Sequence, residues 1–401
     1  MINFAAVKET AQQYSQDIAN FTSDLVKIKS LDSQEGEAVK RVKQEMEKLG
    51  FDEVRIDPFG NVIGRMGSGK TVVALDAHVD TVEAGDESAW DLPPFSGIIN
   101  DGKVFGRGAS DQKGALASMV YGTKIMKDLH LLDGLTVYAV VSVNEEECEG
   151  LSWQYIINEE NIHPEFVIIT EATEGKIAAG QRGRMNIRIT TKGLSAHGSV
   201  PERGVNAVYK MAPIISEIEK LNERIKYHPI LGKGSITVSQ IFCRSASSCA
   251  VPDECSITLD RRLTKGETDK TALEELRNLE SVKKAKATVE LFEYDIPTHT
   301  GLVYPTKSYF PVWLIEEDHP AVKAAKEAYK KLFAKDISVY NWVFSTNGVS
   351  VMGLFGIPCI GFGPGREARA HAPNEFVEVE DLAVAAMMYA VIPQIYLQQT
   401  K

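Results

Sequence analysis

The sequence predicts an α/β protein that is interrupted by an inserted ferredoxin-like α+β domain. Apolar residues make up 44% and charged residues 25% of the 401 residues, which is ordinary for globular proteins of two or three domains. Strand and helix patterns alternate up to about residue 181, and buried apolar runs return near residue 298. We therefore expect one discontinuous domain of residues 1–181 and 298–401, with residues 182–297 inserted into it.

In the first segment, helical and strand patterns follow one another. The run 135–143 is continuous and β-branched, which is typical of a buried strand in an α/β sheet. Gly50 directly follows a helical pattern, where a C-cap glycine is common. We expect a mostly parallel sheet. The predicted helices are 3–30, 37–49 and 113–131, and the predicted strands are 54–56, 62–64, 71–78, 135–143 and 166–170.

The inserted segment has a different pattern, in which apolar and polar residues alternate as in half-exposed strands. The order strand, helix, strand, strand, helix, strand is that of a split βαβ, ferredoxin-like unit. These elements are predicted at 185–193, 205–224, 235–243, 255–263, 270–279 and 286–294. After Gly301 the pattern returns to buried runs, and a last helix is predicted from residue 379.

Charge and cysteine content bear on partners and location. The net charge of −11, without a basic patch, argues against binding to nucleic acid or to an anionic membrane. The longest apolar run, 382–392, is about half of what a bilayer span needs. The cysteines number five, and no pair has C-x-x-C spacing, which indicates a reducing compartment. With no signal-peptide pattern at the N-terminus, we expect a cytoplasmic protein.

One motif is misleading. Residues 64–71 read GRMGSGKT and match the Walker A pattern of nucleotide-binding loops. Such a loop must be followed by a helix whose N-terminus faces the phosphates. Here the next residues, 71–78, read as a strand, so we interpret the segment as a glycine-rich hairpin turn.

Two short segments contain residue types that commonly bind metals in proteins. His78 and Asp80 share one face of a strand end, which suits a ligand and the carboxylate that orients it, although such pairs also occur on ordinary surfaces. Asp111 follows two glycines and precedes a helix. It could cap that helix, or it could lie near His78 with each carboxylate oxygen on a different metal.

Three more candidates follow other strands. The acidic run NEEE at 144–147 comes directly after the buried strand 135–143, where Glu146 could bind a metal and Glu145 act as a base. The alternative is a solvated acidic loop. Glu171 follows another strand, and His371 follows a glycine- and proline-rich loop.

Taken together, these residues form a set of two histidines and three carboxylates at strand ends of one domain. A mixed nitrogen and oxygen donor set suits zinc, cobalt or manganese, and a bridging aspartate would allow five residues to serve two ions. The five candidate ligands are His78, Asp111, Glu146, Glu171 and His371.

The motifs AHVDTV, WDLPPF, GRGASDQKG, NEEE, KGLSAHGSVPERGVNA, DRR at 260–262 and AHAPNE occur in this order. In them the sequence resembles the dinuclear zinc peptidase and deacylase family of acetylornithine deacetylase, succinyl-diaminopimelate desuccinylase, glutamate carboxypeptidase and aminoacylase. The resemblance implies a zinc-peptidase-like α/β catalytic domain and an inserted ferredoxin-like lid that is often used for homodimerisation.

The resemblance also implies roles for the metal ligands. Asp111 resembles the ligand that bridges two divalent ions, for which zinc is the first choice and cobalt or manganese the alternatives. His78 and Glu171 resemble the further ligands of one ion, and Glu146 and His371 those of the other.

Further roles follow from the same resemblance. Glu145 resembles the general base, and Asp80 the residue that orients the first histidine. His197 resembles a lid histidine that reaches the active site of a partner subunit and stabilises the oxyanion, and Arg262 is expected to bind a substrate carboxylate. The peptide bond after Asp111 is expected to be cis, as is typical of the family.

Three departures from the family pattern are visible. Asn144 stands where the family has aspartate, and the usual Asn-x-x-Pro of the lid is replaced by residues 249–252, CAVP. Residues 345–348, STNG, replace a glycine-rich Thr-Gly-Gly stretch; the backbone at Asn347 and Gly348 is still expected to meet a substrate carboxylate, with a different specificity. In these departures the sequence resembles a branch of the family that is often labelled as selenium-metabolism-linked hydrolases.

The function that the resemblance implies is hydrolysis of an amide bond in a small substrate that carries a carboxylate. The substrate would be an N-acyl amino acid, a dipeptide or a peptide C-terminus, with Glu145 as base. Two alternatives are an N-carbamoyl amino acid amidohydrolase and a non-catalytic scaffold that binds metal. An intact base argues against the scaffold, because binding alone does not need it.

Overall fold

The structure is a computed structural model, and it describes residues 2–400. Helices begin and end close to the predicted positions, although the helix predicted at 113–131 is shorter. Within the described residues the α-helices are α1 (Phe4–Lys27), α2 (Gly36–Lys48), α3 (Gly114–Asp128), α4 (Leu151–Asn158), α5 (Ala207–Arg224), α6 (Asp269–Arg277), α7 (Glu280–Ala285), α8 (Pro320–Phe333) and α9 (Val379–Thr400).

In the described part of the chain, the strands belong to two large sheets and three small ones. In chain order they are β1 (Glu53–Ile56), β2 (Val62–Gly67), β3 (Thr71–His78), β4 (Ile99–Asn100), β5 (Lys103–Phe105), β6 (Leu135–Ser142), β7 (Phe166–Ile169), β8 (Ile177–Gln181), β9 (Gly183–Lys192), β10 (Tyr227–His228), β11 (Gly232–Lys233), β12 (Ser235–Arg244), β13 (Glu254–Leu263), β14 (Thr288–Leu291), β15 (Glu293–Tyr294), β16 (Thr306–Lys307), β17 (Tyr309–Phe310), β18 (Trp313–Leu314), β19 (Val339–Trp342), β20 (Cys359–Gly361) and β21 (Phe376–Glu378).

The larger sheet has the order β1-β2-β6-β3-β7-β20-β8-β18, and β19 also pairs with β8. Its centre is parallel, because β3 pairs in parallel with both β6 and β7. The outer pairs β1–β2, β2–β6, β20–β8 and β8–β18 are antiparallel. The sheet is therefore mixed, and the prediction of a mostly parallel sheet holds only for its centre.

The glycine-rich segment 64–71 does not form a hairpin turn, so that interpretation was wrong. β2 and β3 are not neighbours, since β6 lies between them in the sheet. The connection packs tightly on the loop before β6: a Cβ at Gly69 would lie 1.9 Å from the backbone carbon of Gly134. β3 follows directly, so the segment lacks the helix that a phosphate-binding loop requires.

One hydrophobic core surrounds the larger sheet and includes α1, α3, α8 and α9. α9 is long and apolar enough to cross a membrane by length and composition, and it extends well beyond the predicted run 382–392. However, 72% of its most apolar window is buried inside the protein, in contact with α1, α3 and α8. Packing in the core therefore accounts for its apolar side chains.

A second core belongs to the ferredoxin-like unit, which comprises β9, α5, β12, β13, α6, α7 and β14. Its strands have the order β12-β13-β9-β14 and pair antiparallel throughout. β13 alternates strictly between buried and half-exposed residues, so that one face packs on the helices. This confirms the ferredoxin-like topology, while the domain boundaries at 182 and 297 remain a prediction.

Candidate metal centre

The centre forms where three adjacent strands end. β6, β3 and β7 are neighbours and run parallel, so their carboxyl ends meet at one edge of the sheet. His78 is the last residue of β3, Glu145 and Glu146 follow β6, and Glu171 follows β7. The chain thus collects these side chains at one edge because of strand order alone.

Asp111 lies between the two histidines and turns one oxygen toward each of them. Its Oδ1 is 3.1 Å from Nε2 of His78, and its Oδ2 is 3.4 Å from Nε2 of His371. Glu171 Oε1 lies 3.4 Å from Nε2 of His78, whereas Glu146 Oε2 lies 2.9 Å from Nε2 of His371. The five predicted ligands therefore come together as two groups that share one carboxylate.

The electrostatics of these groups favour cations. Burial, followed by the charge of Asp111, raises the pKa of Glu171 to about 7. Hydrogen bonds to Asp111 and Glu146 raise the pKa of His371 to about 10. Excess negative charge in a buried site raises the pKa of acids and bases alike, and bound divalent ions would relieve it.

The donor set fits two divalent ions. Each group offers one imidazole nitrogen and carboxylate oxygens, and oxygen and nitrogen atoms of His78, Asp111 and Glu146 lie within 4.8 Å of one another. This mixed set suits zinc, cobalt or manganese. His78, Asp111 and Glu171 would hold one ion, and Asp111, Glu146 and His371 the other.

Asp80 contacts both groups of candidate ligands, through His78 of one and Glu146 of the other. The Nδ1 atom of His78 is 2.9 Å from the backbone oxygen of Asp80 and 3.6 Å from its carboxylate Oδ1. The other oxygen, Oδ2, accepts a hydrogen bond of 2.9 Å from the backbone N–H of Glu146. The backbone carbonyl is therefore the closer partner of the imidazole ring, which was expected to bind the carboxylate.

Glu375 holds Asp111 from the other side. Its Oε1 accepts from the backbone N–H groups of Ser110 at 2.8 Å and of Asp111 at 3.0 Å. Its Oε2 accepts from Arg107 Nη1 at 2.7 Å, and both charged side chains are buried. The peptide bond between Asp111 and Gln112 is cis, as predicted.

Glu145 differs from the three carboxylates among the candidate ligands. It is buried, and its Oε1 has no hydrogen-bond partner among residues 2–400. Burial raises its pKa well above the ordinary range for glutamate, although the charge of His78 opposes this shift. A buried carboxylate with a free oxygen and a raised pKa is suited to accept a proton during a reaction.

A cavity of about 420 Å³ opens onto these side chains. β9 and β13 of the ferredoxin-like unit contribute Arg184 and Arg262, which lie opposite each other in the strand pairing. Arg184 donates to Glu149 Oε2 at 2.6 Å, and its buried Nε has no partner in the described part of the chain. Besides the metal-ligand candidates, the lining includes Glu145, Glu149, Ala172, Arg184, Arg262, Val343, Phe344, Ser345, Glu367 and Ala370.

Other predicted site residues lie elsewhere or are already bonded. Arg262 lines the cavity, but its Nε and Nη2 donate to Asp260 at 2.8 and 2.9 Å. His197 is exposed on the ferredoxin-like unit, outside the cavity lining, with its Nδ1 2.7 Å from Ser199 Oγ.

Asn347 and Gly348 are buried beside the site. The amide of Asn347 donates to Asp76 at 2.9 Å and to Ser142 at 3.0 Å, and accepts from the backbone of Gly150 at 2.7 Å. This side chain therefore has a structural role and no free polar atom for a substrate. The expectation that the backbone here meets a substrate remains a prediction.

Sequence reasoning missed the second layer of the site. It assigned no role to Arg107, Glu149, Arg184 or Glu375, although Glu375 lies inside the quoted motif AHAPNE. A signal was available for Glu375, since a carboxylate four residues after a ligand histidine can support the ligand shell. Arg184 sits in an ordinary alternating strand and carried no signal.

Fold and site together define a metal-dependent hydrolase with a dinuclear centre. The sequence profile described as "Peptidase family M20/M25/M40" matches residues 74–394, which is most of the chain. The chain therefore belongs to this family of metallopeptidases, and it is a dinuclear metal-dependent enzyme of that class.

Similar proteins match almost the whole chain. "Uncharacterized protein YgeY" of Escherichia coli (strain K12) is 52% identical over 99% of this chain and 98% of its own length. A "Probable succinyl-diaminopimelate desuccinylase" of Staphylococcus epidermidis is 26% identical over 96% of this chain and 98% of its own.

Solved structures show the same fold. The M20 family metallo-carboxypeptidase Sso-CP2 from Sulfolobus solfataricus has a TM-score of 0.72 at 20% identity, covering 95% of this chain and 99% of its own. Human carnosine dipeptidase 1 has a TM-score of 0.69 at 14% identity, with 99% of each chain covered.

Proposed function

We propose that the protein hydrolyses an amide bond in a small substrate that carries a carboxylate, as an N-acyl amino acid deacylase or as a dipeptidase or carboxypeptidase. The observation that carries this proposal is the buried free oxygen of Glu145 beside the two ligand groups. A binding scaffold would have no need for an unpartnered buried carboxylate, which is costly to keep.

The reaction needs a proton to move from water to the leaving nitrogen. Two divalent ions, when bound, would polarise water and the scissile carbonyl. In this proposal Glu145 takes the proton from the attacking water and then donates it to the amine. Asp80 keeps the imidazole of His78 in one orientation through its backbone oxygen, so that Nε2 faces Asp111.

The substrate carboxylate is expected at the arginines of the cavity. Arg262 has only its Nη1 group outside the bidentate pair with Asp260. It would therefore bind the substrate carboxylate through Nη1 alone, or release Asp260 to bind it. Arg184 has an unpartnered Nε and lies directly opposite on β9. Relatives described as succinyl-diaminopimelate desuccinylases support a substrate of this acidic kind.

The native metal, assembly and location complete the proposal. Zinc is the first choice of metal, because two imidazoles and three carboxylates suit it.

A homodimer would form through the ferredoxin-like unit, whose edge strand β12 exposes Ile241 and Phe242 and whose neighbouring loop exposes Leu194. In such a dimer His197 would reach the site of the other copy. Free thiols at all five cysteines suit the cytoplasm.

The test is a substrate panel on one sample of zinc-loaded protein, with and without chelator. N-acyl amino acids, dipeptides and N-carbamoyl amino acids are compared by amine release. The proposal predicts turnover of acyl amino acids or dipeptides that chelator abolishes and zinc restores. Cleavage of carbamoyl substrates alone would assign the amidohydrolase alternative, and absence of any turnover would favour the scaffold.

A further inference from the structure

Asn144 stands where the chain leaves the larger sheet and turns into the metal centre. It is the second residue after β6, and Glu145 and Glu146 follow it directly. Its backbone has a φ of 58°, in the left-handed region. Residues with a Cβ rarely adopt this conformation, although asparagine tolerates it better than most. The conformation of this one residue therefore sets the direction in which the two glutamates leave the strand.

Hydrogen bonds hold both the backbone and the side chain of Asn144. Its backbone N–H donates to Glu35 Oε1 at 3.1 Å, and its carbonyl oxygen accepts from the backbone N–H of Cys148 at 3.2 Å. Its side-chain Nδ2 donates to Asp32 Oδ1 at 2.7 Å, the shortest of the three distances. Because Asn144 is fully buried, these bonds restrict its backbone and its side chain together.

Asp32, the partner of this amide, lies in the connection between α1 and α2 and is itself held in place. Its Oδ2 accepts from Ser33 Oγ at 3.2 Å and from the hydroxyl of Tyr294 at 3.3 Å. Tyr294 belongs to β15, in the segment that leads from the ferredoxin-like unit back to the larger sheet. The side chain of Asn144 is thus anchored to elements that are distant from it in sequence.

The two residues after Asn144 depend on an accurate position. Glu146 Oε2 lies 2.9 Å from Nε2 of His371, and the backbone N–H of Glu146 donates to Asp80 at 2.9 Å. The buried Oε1 of Glu145 has no hydrogen-bond partner among residues 2–400. The place of this side chain is therefore set by its packing and by the backbone that carries it. Removing groups that orient a metal site typically lowers metal affinity or activity about 10–100-fold.

We propose that Asn144 and Asp32 form a positioning pair, which fixes the backbone turn that presents Glu145 and Glu146 to the metal centre. Asparagine suits this turn because it accepts the left-handed backbone and has an N–H for Asp32. An aspartate at position 144 would set carboxylate oxygen against carboxylate oxygen. The effect of the pair on turnover rests on the proposed function, whereas its effect on zinc binding does not.

The test measures zinc affinity by competition with a chromogenic chelator, and kcat and KM on a substrate that the wild type hydrolyses. Asn144→Asp should weaken the binding of at least one zinc ion by about tenfold or more. It should also lower kcat more than it raises KM, because the base is displaced while the arginines of the cavity are not. The reversed pair, Asp32→Asn with Asn144→Asp, again has an N–H between the two positions and should regain zinc affinity and kcat. Asp32→Asn alone keeps an acceptor for Asn144 and should lose less than Asn144→Asp.

The matched control is Asn158→Asp, the same change in an exposed side chain whose Nδ2 donates to the hydroxyl of Tyr304 at 3.4 Å. It should leave zinc affinity and kcat unchanged. If Asn144→Asp lowers the urea midpoint but keeps the zinc affinity and kcat of the wild type, the pair serves the core alone and the proposal is overturned. A reversed pair that binds zinc no better than Asn144→Asp would overturn it as well.

Failure of the proposed function would be distinguishable from failure of the positioning pair. If the wild type hydrolyses no substrate of the panel, the proposed function fails, and the zinc affinities of the variants still decide the role of the pair. If Asn144→Asp does not fold, Asn144→Gly takes its place, because glycine adopts a positive φ without strain. Loss of the amide should then still weaken zinc binding, and an unchanged zinc affinity in Asn144→Gly would contradict the proposal.

Discussion

Replacing Glu375 with alanine tests whether this side chain holds Asp111 in place. The carboxylate accepts hydrogen bonds from the backbone of Ser110 and Asp111 and pairs with Arg107 at 2.7 Å. Glu375→Ala would leave the guanidinium of Arg107 buried without its charge partner, together with two backbone N–H groups. Removing one partner of a buried ion pair costs about 3–5 kcal/mol, and orphaned N–H groups about 1–3 kcal/mol each when water cannot reach them.

We therefore expect Glu375→Ala to lower the free energy of unfolding of metal-free protein by about 3–5 kcal/mol, since entering water offsets part of the N–H cost. Urea unfolding followed by tryptophan fluorescence is the assay. It reports on the larger sheet and its core alone, because all tryptophans lie outside the ferredoxin-like unit, at Trp90, Trp153, Trp313 and Trp342.

The matched control is Glu317→Ala. This glutamate pairs with Lys326 at 2.6 Å on the surface, where ion pairs contribute about 0–1 kcal/mol. The variant at Glu375 should also bind zinc more weakly, because the backbone that carries Asp111 is no longer held. If the two substitutions cost the same, or if zinc affinity is unchanged, the reasoning about Glu375 is refuted.

Three other predictions follow from the site and its surroundings. His371→Ala should bind one zinc ion per chain, by mass spectrometry, and two retained ions would remove His371 from the ligand set. Asn347→Ala should destabilise the protein by about 1–3 kcal/mol in urea, because Asp76 and the backbone of Gly150 lose a buried partner; an unchanged midpoint would contradict this. Burial raises the pKa of Asp381 to about 6, so the folded state binds its proton more tightly and stability falls as pH rises from about 4 to 6. Asp381→Asn should therefore raise the unfolding temperature at pH 8 and not at pH 4, and a lower value at pH 8 would contradict it.

Much of the site was predictable because strand ends mark it. His78 ends a strand, and Glu145, Glu146 and Glu171 follow strands, whose buried, β-branched pattern is visible in the sequence. Parallel strands bring their carboxyl ends together. The ferredoxin-like order of elements was also predictable, because apolar residues recur with a helical period in the helices and alternate with polar residues in the strands.

The pairing of strands was harder to predict from the sequence. β2 pairs with β6, which lies more than 60 residues later, and nothing in the pattern of β2 indicates that partner or its antiparallel direction. The apparent hairpin at 64–71 was wrong for this reason: adjacency in sequence was taken as adjacency in the sheet. Register and neighbour choice depend on the whole core, and short strands carry little information about it.

The residues that support the candidate ligands were equally hard to predict from the sequence. Glu375 acts on backbone N–H groups some 265 residues away, and Arg184 meets Glu149 only because two units pack across the cavity. Contacts of this kind depend on how elements are placed and leave no local pattern in the chain. The buried amide of Asn347 illustrates the reverse case, in which a polar residue near a site serves the core.

The most direct test of the central claim compares wild-type protein with Glu145→Gln on the same zinc-loaded preparation. The substitution keeps the shape of the buried side chain and removes its ability to take a proton. We predict two zinc ions per chain in both proteins, with turnover reduced by about 10²–10⁴-fold or more in the variant, as expected for loss of a general base. Equal turnover in the two proteins, or loss of zinc in the variant, would contradict the assignment of Glu145 as the base beside an intact dinuclear centre.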